Sequence, residues 1–281
     1  MIRRLLPAAV AGLLAATAFA AGALADGGPS PGVSIGWDGI ATPGGELRYV
    51  TLPAGRNTVV VAVRLDGGRV VRFRALRGSF GVPLVAYDGT TGGLSVDGRT
   101  LVLGQGPRGG LAPATRFAVL NTRNFRIRRA FTLRGDFAFD ALSPDGRLLY
   151  LIEHVSAQDF SRYRVRAYDL GAGRLLARVI ADKREGTRVM AGYPVARATG
   201  ADGSWAYTLY RNDGGSPFVH ALDTRRGQAV CIDIPWRGSQ DRLSSMRLAL
   251  SPDGRRLALR SQSGEEAAVI DTTTFEVRAA A

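Results

Sequence analysis

The feature that most constrains the fold is a seven-residue phrase, ALSPDGR, that occurs at 141–147 and again at 249–255. Looser copies occur at 40–52, 93–105 and 198–210. One glycine holds the same place in each copy and falls at Gly45, Gly98, Gly146, Gly203 and Gly254, so successive copies are 53, 48, 57 and 51 residues apart. A period of this length indicates a repeat architecture.

A second landmark follows each copy after 17 to 23 residues. It is an apolar segment, then Asp66, Asn121, Asp169, Asp223 or Asp271, then a short polar loop. In the first phrase, Pro144 suits the first central position of a type I turn, and Gly146 accepts the positive φ that closes a short hairpin loop. Each repeat is therefore predicted to form two hairpins, which make four antiparallel strands.

The strand after the phrase, RLLYLIEH at 147–154, is apolar on both faces. A four-stranded sheet cannot bury two apolar faces alone, whereas sheets stacked radially cover one another and leave only short edges. We therefore predict an all-β fold, a β-propeller of five four-stranded antiparallel blades over 33–281. Six blades are the alternative if the long interval between Gly146 and Gly203 contains a further element. An elongated β-solenoid or a pair of sandwiches is a less favoured alternative, and the period is too long for a typical solenoid coil.

Two stretches resemble known propeller repeats. LSPDGR at 142–147 and 250–255, followed by an apolar strand, resembles the repeat of WD40-like propellers of the TolB type. AAVIDTTTFEV at 267–277 is similar to YVTN-type and lactonase-like repeats. The resemblance implies a bacterial, exported repeat protein, in a family that includes periplasmic scaffolds, envelope binding proteins and a minority of enzymes such as lactonases. These motifs are turn and core residues, so they specify the fold and leave the chemistry open.

The first 25 residues predict a signal peptide. Arg3 and Arg4 precede an apolar run, and Ala23 and Ala25 form a small-residue cleavage site before Asp26. Cleavage after Ala25 would leave a short segment, 26–32, before the propeller, and no stable membrane span. The alternative is an uncleaved anchor, since about 20 apolar residues can cross a bilayer. The expected location is secreted or periplasmic, within the cell envelope.

The formal net charge is +13, and of the 37 basic residues only Lys183 is a lysine. A GC-rich genome explains an arginine excess of this kind as well as a selected anionic partner does. Nonspecific attraction to polyanions is expected at low salt. No nucleic-acid module is recognisable, so no specific nucleic-acid partner is predicted. Cys231 is the single cysteine and is predicted to be a buried, inert thiol.

The long connections at one end of the blades are the predicted binding surface, since binding residues concentrate on loops over a rigid scaffold. The candidate ligand or partner residues there are Arg162, Arg184, Arg188, Arg211, Trp236, Arg237 and Arg242. Arginine forks suit carboxylate or phosphate groups, and a tryptophan suits a sugar face or a protein interface. The alternative interpretation is a solvated arginine-rich face interspersed with aspartates.

The sequence contains few residues or motifs that indicate catalysis. Only His154 and His220 are present, without a metal-ligand spacing, and there is no G-x-S-x-G or P-loop motif. Glu153 and His154 are expected to be polar residues on the surface without a catalytic role, and His220 is expected to pack in an outer strand. No catalytic residue, metal ligand or cofactor is assigned. The sequence therefore favours a noncatalytic exported scaffold that binds a protein or an anionic envelope polymer. The alternative is a lactonase-like or other small-molecule hydrolase that uses the central channel, and the oligomeric state stays open.

Overall fold

The computed structural model describes residues 30–106, 110–182 and 188–279. The signal peptide predicted for 1–25 and the candidate residue Arg184 lie outside the described residues. No helix in these three ranges is long and apolar enough to cross a membrane.

The described residues form five antiparallel sheets. After the short strand β1 (Val33–Ser34), sheet one contains β2 (Gly36–Ala41), β3 (Leu47–Ala54), β4 (Asn57–Arg64) and β5 (Val70–Arg77). Sheet two contains β6 (Phe80–Pro83), β7 (Thr100–Gln105), β8 (Ala114–Asn121) and β9 (Ile127–Arg134), with β1 paired to β6. Sheet three contains β10 (Asp136–Leu142), β11 (Leu148–His154), β12 (Arg162–Asp169) and β13 (Arg174–Ile180), with β14 (Met190–Ala191) paired to β12.

Sheet four contains β15 (Tyr193–Thr199), β16 (Trp205–Arg211), β17 (Phe218–Asp223) and β18 (Gln228–Asp233). The short helix α1 (Gln240–Ser244) precedes sheet five, which contains β19 (Arg247–Leu250), β20 (Arg256–Arg260), β21 (Glu266–Asp271) and β22 (Val277–Ala279). Within each sheet the strands lie in chain order. This confirms the predicted all-β propeller with five blades, and adds the two short strands β1 and β14.

The repeated phrase forms the predicted turn in both copies. Gly146 has a φ of +66°, and its backbone N–H donates to the carbonyl of Ser143 at 2.8 Å. The Ser143 hydroxyl accepts from the N–H of Leu148 at 2.9 Å, and the Asp145 carboxylate accepts from the N–H of Arg147 at 3.0 Å. Gly254 in the second copy has a φ of +73°, and its N–H donates to Ser251 at 2.9 Å. The phrase is repeated because each turn requires these side chains and a glycine with positive φ.

Four hydrophobic clusters fill the spaces between neighbouring sheets. They lie between sheets one and two, two and three, three and four, and four and five. Fully buried members include Val60 with Leu101, Phe117 with Leu149, Tyr150 with Leu222, and Leu209 with Leu257. None of these four clusters contains residues of both sheet five and sheet one. On the face of sheet one turned away from sheet two, Val50 and Val61 are buried, whereas Phe73 on the outer strand is 70% exposed.

The first strand of sheet two is interrupted by an excursion. Phe80 and Gly81 pair with the end of β7, and Leu94 pairs with Leu101 nearer its start. Between them, residues 84–91, here called the crossing segment, form a small hairpin in which Leu84 pairs with Thr91. The N–H groups of Tyr87 and Asp88 donate to the carbonyls of Pro194 and Val195 in β15, at 2.9 and 3.0 Å. Because sheet three separates sheets two and four, the crossing segment runs across the axis of the ring.

Candidate functional site

The two ends of the ring differ in their connections. Turns after the first and third strands of each sheet lie at one end, the short-turn face. The connections after the second strands, and those between sheets, lie at the opposite end, the long-loop face. Among the described residues, the longest of these are 155–161, 188–192, 212–217 and 234–246. Those candidate residues that the structure describes lie on this face, where antiparallel topology requires them to be: Arg162, Arg188, Arg211, Trp236, Arg237 and Arg242.

Arg211, at the end of β16, is held by three groups. Its guanidinium lies over the ring of Tyr193, 5.4 Å from the ring centre. Its Nε lies 2.9 Å from the Asp213 carboxylate, and its Nη1 donates to the Ser244 hydroxyl at 3.5 Å. Ser244 is the last residue of α1, so Arg211 connects the edge of sheet four to the loop that leads into sheet five.

Trp236 and Arg242 form a second unit on that loop. Ser239 caps α1 by accepting from the N–H of Arg242 at 3.2 Å. The Trp236 indole donates to the Ser239 carbonyl at 3.2 Å, and the Arg242 guanidinium lies 5.9 Å from the centre of the indole ring. Arg242 is also 3.8 Å from the Glu265 carboxylate. This stacking keeps one face of the indole beside a cation, as ring quadrupoles favour.

Tyr87 joins this group through the crossing segment. Its side chain is half exposed. Burial of its other half raises the pKa of the Tyr87 phenol, the neighbouring Tyr193 adds to this rise, and the Arg211 guanidinium opposes it. Tyr87, Tyr193, Arg211, Trp236 and Arg242 are here called the aromatic-arginine cluster. It combines residues from the crossing segment, sheet four and the loop before sheet five.

The sequence did not predict Tyr87 or Tyr193 as site residues. Tyr193 opens β15 directly after a long connection, which is a signal that the sequence carries. Tyr87 could not have been found in this way, because its position depends on hydrogen bonds to residues more than a hundred positions later in the chain.

The other predicted site residues do not join the cluster. Arg162 begins β12 and pairs with Ala191 of β14, on the third strand of sheet three. Arg188 is exposed just before β14, and Arg237 is exposed next to Trp236. Arg162 and Arg188 therefore lie towards the outside of sheet three, whereas Arg211 contacts Ser244 on the connection that carries Trp236 and Arg242.

The expectation that His154 is a polar residue on the surface is wrong. The ring is buried, and its Nδ1 is 2.7 Å from the Asp136 carboxylate. The other oxygen of Asp136 accepts from the N–H of Ala112 at 2.8 Å. Glu153 points the other way and accepts from Arg166 at 2.8 Å, since adjacent strand residues face opposite sides. Asp136 borders a cavity of only about 30 Å³ between sheets two and three, which is the size of a water molecule.

His220 and Cys231 lie between sheets three and four. His220 is on β17, the third strand of sheet four instead of its outermost, and both side chains are buried. The Cys231 sulfur is 3.8 Å from His220 Nδ1. Burial lowers the pKa of His220 to about 4, with Asp140 and Asp182 opposing the shift. The prediction that Cys231 is buried is confirmed.

Among the described residues, no three histidine, cysteine, aspartate or glutamate side chains are grouped so that they could hold a metal ion.

Comparison with known proteins shows that the chain resembles several solved structures in fold. No protein-family model matches the sequence, and no curated protein matches it. Similar solved structures include a functionally unknown protein from Desulfotomaculum acetoxidans, 13% identical over 90% of this chain and 69% of that one, with a TM-score of 0.51. The dihydro-heme d1 dehydrogenase NirN in complex with DHE is 15% identical over 85% of this chain and 44% of that one, with a TM-score of 0.50. TolB from Acinetobacter baumannii is 16% identical over 84% of this chain and 52% of that one, with a TM-score of 0.46.

The chain spans about half the length of NirN and of TolB. At these identities the likeness concerns the fold alone. The five antiparallel sheets described above, each with four strands in chain order, identify the chain as a β-propeller.

Proposed function

We propose that this protein is an exported, noncatalytic β-propeller that binds a protein or an anionic polymer of the cell envelope on its long-loop face. The observation that supports this best is the aromatic-arginine cluster. Three separate parts of the chain contribute to it, and in it two guanidinium groups lie beside three aromatic rings on that face. Surface clusters of this composition are typical of binding sites.

The chemistry of the cluster fits an anionic ligand. Each guanidinium offers a planar fork of donors to a carboxylate or phosphate group. The exposed half of Tyr87 and the partly exposed Trp236 offer flat apolar surface beside those donors. The net charge of +13 would draw a polyanion towards the protein before these contacts form.

The test compares two triple variants by affinity for a panel of anionic envelope polysaccharides. In one variant Arg211, Arg237 and Arg242 on the long-loop face are changed to glutamine. In the matched control, Arg174, Arg178 and Arg278 on outer strands are changed to glutamine, which removes the same net charge elsewhere. We expect the first variant to lose at least about tenfold in affinity, because charge-assisted hydrogen bonds contribute more than 1.4 kcal/mol. The control should lose much less, and wild-type affinity should fall with added salt. Equal losses in both variants would contradict a specific face.

A hydrolase of the lactonase kind is the alternative. The His154–Asp136 pair favours it, because a carboxylate that orients an imidazole is a common arrangement for a general base. Against it stand the burial of His154, the small cavity beside Asp136, and the crossing segment that runs across the axis. Hydrolysis of a lactone and ester panel by the wild type, lost in His154→Gln, would support the enzyme. A panel without turnover would remove its support.

A further inference from the structure

The outer strand β9 of sheet two is packed on one face only. On the face towards sheet three, Phe131 stacks on Tyr168 of β12, with 4.0 Å between the ring centres. On the face towards sheet one, Ala130, Thr132 and Arg134 are exposed. The outer part of the space between sheets one and two is therefore open to solvent, whereas the same part of the space between sheets two and three is filled.

The strand register shows which side chains point into this open space. Residues paired directly across two antiparallel strands lie on the same face of the sheet. In sheet two, Arg116 pairs with Thr132, and both share the face of Ala118, a member of the cluster between sheets one and two. In sheet one, Arg74 pairs with Val60 of the same cluster. Arginines thus point into the space from both sheets, and we call it the arginine groove. Its arginines are Arg72, Arg74, Arg116 and Arg134.

Two of these guanidinium groups are held by neutral groups. Arg72 donates from Nη1 to the Thr122 carbonyl at 3.0 Å, and its guanidinium lies 5.8 Å from the centre of the Phe125 ring. The Arg116 guanidinium lies 5.5 Å from the centre of the Phe80 ring. A carbonyl or an aromatic face can hold a guanidinium in place without cancelling its charge. Both groups are therefore positioned for an anion before one binds.

The charge of the arginine groove is not balanced by carboxylates. Within the three ranges that the structure describes, none of the four arginines forms an ion pair. Arginines at the short-turn face do have such partners, as in Arg64 with Asp66 at 2.7 Å and Arg225 with Asp202 at 2.9 Å. Like charges on two facing sheets repel each other, and an anion that binds between them removes this repulsion. The groove is thus complementary in charge to an anionic ligand.

The spacing of the arginines suits an extended peptide. Arg72 and Arg74 are two positions apart on one strand, so their Cα atoms are about 6.7 Å apart. Arg116 and Arg134 are diagonal neighbours on β8 and β9, at about 7 to 8 Å. Alternate side chains of an extended peptide repeat at about 6.7 Å as well, and guanidinium forks suit carboxylates. The spacing therefore favours a peptide in which acidic residues alternate with others.

The side chains beside the arginines leave room for such a peptide. Ala130 and Thr132 are small and exposed. Ile127, at the short-turn end of β9, pairs with a residue of the same cluster, Leu120, and is 42% exposed, so it offers an apolar contact at one end of the groove. We propose that the arginine groove binds an extended acidic segment of a partner protein, with carboxylates at alternate positions. This surface is on other strands than the aromatic-arginine cluster and does not depend on the function proposed above.

The test measures the affinity of the purified protein for two labelled peptides at low salt. One peptide alternates glutamate with threonine, and the other has the same composition with its glutamates in one block. We expect the alternating peptide to bind more tightly. Arg74→Gln together with Arg134→Gln should lower its affinity by at least about tenfold, because hydrogen bonds between charged partners are the strong ones.

Arg77→Gln together with Arg178→Gln is the matched control, since it removes the same charge from outer strands. Arg77 follows Leu76, a member of the cluster between sheets one and two, so it points to the opposite face of β5. This control should bind the peptide nearly as the wild type does. The four substituted arginines are exposed and form no hydrogen bond with the described residues, so both double variants are expected to fold. Near-ultraviolet circular dichroism checks this.

Four results would overturn the proposal. Equal affinity for the two peptides, or equal losses in the two double variants, would show attraction by net charge alone. A polyuronate or single-stranded DNA that binds more tightly than the alternating peptide, with the same dependence on Arg74 and Arg134, would assign the groove to another class of polymer. Loss of peptide binding in the variant of Arg211, Arg237 and Arg242 would place the peptide on the long-loop face instead.

Discussion

At the level of single residues, three threonines fasten the two short turns of a sheet to each other. Thr122, Thr224 and Thr272 each follow the Asp or Asn of the second turn, and each hydroxyl donates at 2.6 Å to the carbonyl of the first-turn glycine. Their backbone N–H groups donate to the same first turn. The spacing of the two landmarks along the chain therefore reflects a hydrogen-bonded pair of turns at the short-turn face.

Thr224→Val should lower the free energy of unfolding by about 1–2 kcal/mol. Thr224 is 1% exposed, and valine keeps its shape but leaves the Gly203 carbonyl without the hydroxyl. Urea unfolding followed by tryptophan fluorescence measures the change. Thr199→Val, at an exposed strand position, is the control and should change stability by less than about 0.5 kcal/mol. Similar losses in both variants would show that the hydrogen bond between the turns is unimportant.

At the level of elements, the crossing segment carries one member of the binding cluster and also joins two sheets that are not neighbours. Its tip forms two backbone hydrogen bonds with β15, and Tyr87 reaches Tyr193 and Arg211 from there. The turn before β7 remains an ordinary SVDG turn, in which Gly98 has a φ of +65°. The excursion is therefore an insertion into the first strand of sheet two, which leaves the rest of that blade regular.

Replacing residues 85–90 by Asn-Gly should keep the fold but lower the affinity of the long-loop face for its ligand. Asn-Gly closes a two-residue hairpin between Leu84 and Thr91. The shortened chain loses Tyr87 and both bonds to β15, so we expect lower stability and weaker binding of any ligand that uses the aromatic-arginine cluster. Tyr87→Ala separates the two effects, because it removes the ring and keeps the backbone bonds. If both variants bind as the wild type does, the tip is not part of the site.

The sequence predicted what local chemistry determines. Pro144, Asp145 and Gly146 specify a turn wherever they occur, so the hairpins, their number and the propeller followed from the repeats. Long-range pairings could not be read in this way. Val195 lies 107 residues after Asp88, and nothing near either residue encodes that contact. The predicted arginine residues do not form one group, because their strands hold different positions in their sheets. Arg162 begins the third strand of sheet three, whereas Arg211 ends the second strand of sheet four.

At the level of the whole molecule, a buried ion pair joins sheets three and four near their first strands. Arg197 on β15 contacts Asp140 on β10, with 2.6 Å between Nη1 and Oδ1, and its Nη2 donates to the Asp140 carbonyl at 2.8 Å. Nη1 also donates to the Thr208 hydroxyl at 2.6 Å. Both charged side chains are at least 95% buried, so each depends on the other for its stability.

Asp140→Leu alone should destabilise the protein by about 3–5 kcal/mol, because it leaves the Arg197 guanidinium buried without its carboxylate. Adding Arg197→Met should recover most of that loss, since a well-packed apolar pair often replaces a buried ion pair without net cost. Chemical unfolding of the two single variants and the double variant gives the coupling energy. Additive losses would show that the pair does not act as a unit.

The hydrogen bonds between the crossing segment and β15 also bear on how such a ring can evolve. In repeat proteins each repeat generally contacts only its neighbours. Here the reach of eight residues, 84–91, sets the distance between the second and fourth repeats, with room for one repeat between them. A duplicated or deleted third repeat would break that span. Descendants of this chain are therefore expected to keep the second, third and fourth repeats together as one unit.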